Sequence, residues 1–119
     1  MREITLNGIK YPVTASFGAL CQLQDELKTD NILEVFSRFD PAQNKLDYRT
    51  AAIMFWLGMK SHKPAMTLDQ TFKILDSAQP HEQFAQLMEV VAEFADGFTQ
   101  TLPQADTVEE NAKNVTNPA

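Results

Sequence analysis

A chain of 119 residues, 44% apolar and 22% charged, has the composition of one globular domain rather than of a disordered segment, and a domain of this size buries roughly 60 to 70% of its unfolded surface. Ten basic against sixteen acidic residues give a net charge of −6, the wrong sign for holding a phosphate backbone, and no basic run or stripe offsets it. The single Cys21 excludes an intramolecular disulfide, and Met1 to Leu6 carry no apolar signal segment, so a cytoplasmic protein is the expectation.

Arg2 to Val13 carry a hairpin signal, because Asn7-Gly8 lies between two alternating runs and both residues take the positive φ of a type I′ turn. A two-residue loop pairs Leu6 with Ile9, Ile4 with Tyr11 and Arg2 with Val13. That register places Ile4, Leu6, Ile9, Tyr11 and Val13 on one face, which must lie on helices because an isolated hairpin is marginal in water. Thr14 or Ser16 caps the next element, a helix from about Ser16 to Lys28 whose inward stripe is Phe17, Leu20, Leu23 and Leu27. Asn31 with Glu34 opens a second helix, with Ile32, Val35, Phe36 and Phe39 at helical spacing and an end near Asp40-Pro41. Asp40 to Asp47 reads as a polar loop. It fails as an EF-hand, since counting from Asp40 puts Ala42, Lys45 and Ala51 where oxygen ligands and glycine are needed.

Tyr48 to Lys60 is the stretch around which the chain must organise. Ala51 through Leu57 are seven consecutive apolar residues, including Trp56, so a helix here has no polar side through its middle and must be central. Its nine apolar-rich residues, Ala51 to Met59, fall short of the ~20 needed to span a bilayer. Lys63-Pro64 stops it. Thr67-Leu68-Asp69-Gln70 is a capping-box start for a short fourth helix with Leu68, Phe72 and Leu75 inward. Pro80 fits the first position of a fifth, where Phe84, Leu87, Met88, Val91, Phe94, Ala95 and Phe98 form a stripe that frays near Asp96-Gly97. Leu102 to Ala119 is polar, has few large apolar residues, and reads as a flexible tail contributing little stability. The expected fold class is therefore mainly α, an N-terminal β-hairpin on a four- to five-helix bundle over 1–101 followed by a polar tail over 102–119. No internal repeat is evident.

Catalytic chemistry finds no foothold in the pattern. Cys21 has no protease or redox signature and reads as structural, beside the apolar stripe of the first helix. His62 and His81 belong to no ligand set, the adjacent acidic pairs diverge, and the glycines are scattered rather than gathered in a phosphate loop. No catalytic, cofactor or metal residue is assigned and none is expected. The binding expectation falls on a surface formed by the Met59 to Met66 corner and the last helix, through Met59, Met66, Val90, Phe94 and Phe98. Large apolar residues of the last helix point in more than one direction, so one core-facing stripe does not cover them all. The competing expectation has Phe98 closing the bottom of the core and Val90 as an isolated surface residue.

The order of elements carries a resemblance. A hairpin (Ile-Thr-Leu-Asn-Gly-Ile-Lys-Tyr-Pro-Val), Phe17 leading into Leu20, Leu23 and Leu27, a helix ending Phe55-Trp56-Leu57-Gly58-Met59-Lys60, and Thr-Leu-Asp-Gln-Thr-Phe opening the next helix resemble the tail assembly chaperones of long-tailed bacteriophages. The likeness covers about Arg2 to Leu102 and rests on degenerate hydrophobic positions. It implies a non-enzymatic protein in the cytoplasm of the infected bacterial host that binds the tape measure protein, keeps its helical apolar segments soluble, helps recruit tail tube subunits, and is absent from the mature virion. Family members are often made in a short form and in a longer, frameshifted one. Self-association fits the same apolar surface, while nucleic acid and membrane are not expected partners. The alternative class is a small cytosolic adaptor or regulatory protein-binding domain unrelated to phage tails.

Overall fold

The computed structural model describes residues 1–101, so the expected tail over 102–119 lies outside the described residues. Strands β1 (Arg2–Leu6) and β2 (Ile9–Val13) pair antiparallel, with Leu6 opposite Ile9, Ile4 opposite Tyr11 and Arg2 opposite Val13. Asn7 and Gly8 take φ of 52° and 79°, the two positive values that a type I′ turn needs. Ile4, Leu6 and Val13 are buried and Tyr11 is half-buried. Ile9 is 54% exposed, against expectation. Strand β1 lies on the last helix and β2 on the central one.

Helix α1 (Phe17–Leu27) is capped by Ser16, whose Oγ accepts the Ala19 N–H at 3.1 Å. Helix α2 (Ile32–Phe36) begins at Asn31, whose Oδ1 accepts the Glu34 N–H at 3.2 Å, but it ends at Phe36 rather than near Asp40. Phe39–Asp40 form a short strand, β3, paired with β4 (Lys45–Leu46) around one 3-10 turn at Pro41–Gln43. The expected loop is thus a second small hairpin, closed through Asn44 at φ 56°. Arg38 ties this region to the next helix. Its guanidinium donates to Glu34 at 3.0 and 3.1 Å and to the Thr50 hydroxyl at 3.0 Å, and the Glu34 hydrogen bond raises its pKa above the ordinary value.

Helix α3 (Tyr48–Lys60) starts at the Asp47 cap and packs against α1, β2, α4 (Leu68–Asp76) and α5 (Pro80–Thr101). It is the centre that its composition requires. From Thr50 to Met59 every residue but Trp56 is buried. Trp56 is half-buried because its indole lies at the margin, donating Nε1–H to the Met66 carbonyl at 2.9 Å with the Lys60 ammonium 4.8 Å from the ring centroid. Thr67 and Gln70 make the reciprocal capping box that opens α4. The side chain of Gln83 reaches back to the Leu75 carbonyl at 2.6 Å and closes the other end of α4.

Helix α5 also completes the hairpin. Glu82, Gln86 and Glu93 accept the N–H groups of Asn7, Thr5 and Ala15 at 2.9, 2.9 and 3.1 Å, so one face of a helix satisfies amides of the turn, of β1 and of the link after β2. The opposite edge of β2 carries Pro12, which has no N–H to offer a further strand. The helix does not fray at Asp96-Gly97. A Cβ on Gly97 would lie 2.8 Å from both the carbonyl oxygen and the Cβ of Ala15, so the glycine lets α5 approach the link between hairpin and α1. Gly97→Ala should therefore destabilise the protein by about 1 to 3 kcal/mol, although alanine is the better helix former. Urea unfolding checks the sign, and a gain in stability would contradict the close approach.

Candidate functional site

The expected binding residues do not gather on one surface. Met59, Val90 and Phe94, expected at the surface, are instead in the core, with Val90 and Phe94 at 0% exposure. The reason is the number of neighbours around α5. Strand β1, α1 and α3 pack on different sides of it, so apolar residues pointing in several directions are all covered. Neither expectation for Val90 describes it, since it is neither part of a patch nor an isolated surface residue. Met66 and Phe98 are half-buried, and residues 61–65 between Met59 and Met66 are all exposed and mostly polar. The Met59 to Met66 corner is accordingly a turn under Trp56, not an apolar platform.

An apolar groove lies elsewhere, between α1, the start of α2 and the C-terminal part of α5. Phe17, Leu20, Cys21, Gln24, Ile32 and Phe98 line about 180 Å³ of it. Phe98, from the expected set, belongs to this groove, where its ring packs 6.0 Å from that of Phe36. Phe17 was expected to point inward and is instead 73% exposed. Cys21, expected to be structural, is an exposed free thiol. Helix α1 has two faces. Ala19, Leu20 and Leu23 enter the core, while Phe17, Cys21 and Gln24, at i, i+4 and i+7, run along the groove. That second stripe is visible in the sequence, but the Leu20-Leu23-Leu27 spacing masks it.

The electrostatics around the groove are lopsided. Gln24 also borders an open shelf with Asp25, Lys28, Thr29 and Asp30, at the C-terminal end of α1 where the helix dipole is negative. The last turn of α1 has no basic residue. A second apolar hollow of about 200 Å³ lies where α3, α4 and α5 meet, beside the exposed Tyr48, with both Arg49 and Asp76 in its lining. His62 shares a 2.8 Å hydrogen bond with the Thr14 hydroxyl at the junction of hairpin and α3. Among the described residues no group of three His, Cys, Asp or Glu is placed to hold a metal ion, and no helix is long and apolar enough to cross a membrane.

Comparison with protein-family models, with curated proteins and with solved structures returned no match to this chain.

Proposed function

We propose that this chain is a tail assembly chaperone of long-tailed bacteriophages, acting in the host cytoplasm, where it binds the tape measure protein and assists assembly of the tail tube. The observation that supports this reading is the groove at Phe17, which offers apolar surface to a partner on a scaffold whose own core is closed. Holding an aggregation-prone helical segment needs a stable domain and accessible apolar surface, and it needs no chemistry. The order of hairpin, α1, central helix and capping-box helix adds to it.

Co-expression with the tape measure protein of the same genome provides the test. The reading expects that protein to become soluble and to co-purify with this chain. A tape measure protein that stays insoluble, or is soluble without ever binding, would remove the phage assignment and leave the adaptor class.

A further inference from the structure

The groove runs along α1 from Phe17 to Gln24, about 10 Å or two helical turns at 1.5 Å per residue. Phe98 and Ile32 form the opposite wall. Its lining is uncharged, but the end at Gln24 opens on the shelf that holds Asp25 and Asp30 against the one ammonium of Lys28. The negative pole of α1 adds to those carboxylates. An occupant must bring apolar side chains spaced over two turns and positive charge at one end.

We propose that this groove seats an amphipathic helix of a partner protein, its apolar anchors entering between Phe17 and Phe98 and its basic flank lying over Asp25 and Asp30. The inference deepens the chaperone reading and rests on it for the identity of the partner, though not for the partner's chemistry. Charge argues against the other occupants. A second copy would bring another chain of net charge −6 and another acidic shelf into contact with the first. The chain beyond Thr101 carries Asp106, Glu109 and Glu110 against Lys113 alone, again the wrong sign. An added strand has its place at the β2 edge, where Pro12 opposes it.

Cys21 lies in the groove lining and is the chain's one cysteine, so its alkylation rate reports occupancy directly. The probes are a synthetic peptide with leucines at i, i+3, i+4 and i+7 and lysines on the flanks, and a twin with glutamates replacing the lysines. The lysine peptide should slow maleimide alkylation of Cys21 about tenfold at saturation while the glutamate twin leaves it unchanged, and Phe17→Gln should weaken peptide binding about tenfold with the circular dichroism unaltered. Asp25→Lys combined with Asp30→Lys should reverse the preference between the peptides. Three results overturn the proposal: no protection of Cys21 by the lysine peptide, equal protection by both peptides, or binding indifferent to Phe17→Gln. Two more do so by naming another occupant. Slow alkylation of the free protein at every concentration would seat its own chain there, and slowing only as protein concentration rises would seat a second copy. Failure here is separable from failure of the chaperone reading. A tape measure protein that binds while Cys21 stays reactive defeats the groove alone, whereas protection by the lysine peptide without tape measure binding defeats the phage assignment alone.

Discussion

Phe55→Ala should lower stability by about 3 to 5 kcal/mol, the range for emptying a fully enclosed aromatic site. Phe55 is at 0% exposure, and its ring meets Tyr11 edge-on with centroids 6.0 Å apart, so it joins α3 to the hairpin as well as filling the core. The surroundings have little freedom to close the space. One turn further along α3, a Cβ on Gly58 would collide with Cγ1 of Val13, so helix and hairpin already touch. A domain of this size has about 5 to 15 kcal/mol in total, so the variant should unfold at a midpoint lower by well over 10 °C. Thermal and urea unfolding would show it, and a loss under about 1 kcal/mol would contradict the placement of α3 at the centre. Phe17→Gln is the control, since an exposed aromatic on the first turn of α1 should change stability by no more than about 0.5 kcal/mol.

Glu93→Ala should cost about 2 to 3 kcal/mol, because Glu93 is a buried carboxylate joining three parts of the chain. It accepts the Ala15 N–H at 3.1 Å and stands 3.9 Å from Nε of Arg2, a buried nitrogen with no hydrogen-bond partner of its own. Removing the carboxylate strands the amide and takes away one of the charges facing the guanidinium. Arg2 keeps Asp96 at 2.7 Å, which limits the loss. Glu93→Gln retains an acceptor for the amide while removing the charge, so it should lose less than Glu93→Ala. Urea unfolding of the two variants side by side decides it, and equal stability of Glu93→Ala and the parent protein would show that the hairpin does not depend on this contact.

Glu93 had no marker in the sequence. A glutamate amid Val90, Val91 and Phe94 reads as the wet side of a helix, and its partners are 78 and 91 positions away. Local chemistry was legible where it is self-contained. Asn7-Gly8 demands positive φ and so set the hairpin register, Thr67 with Gln70 announced α4, and seven apolar residues without a polar break located α3. The spacing of Phe39 from Val35 and Phe36 imitates a helix, while the β3–β4 pairing that claims it is made across a turn. The hint that remained was Asn44, a residue tolerant of positive φ. Tertiary context, not local pattern, creates the groove. Periodicity shows that α5 is apolar in several directions, but not that β1, α1 and α3 cover those directions and leave Phe17 of α1 uncovered.

We propose that the apolar groove beside Phe17, on a core closed around α3, holds the partner. Hydrogen–deuterium exchange of the full chain, alone and with the co-expressed tape measure protein, tests it most directly. Binding should slow exchange in the α1 to α2 segment and in the C-terminal turns of α5, with the hairpin and α4 unchanged. Protection confined to the hairpin, to α4 or to the Tyr48 hollow would contradict it.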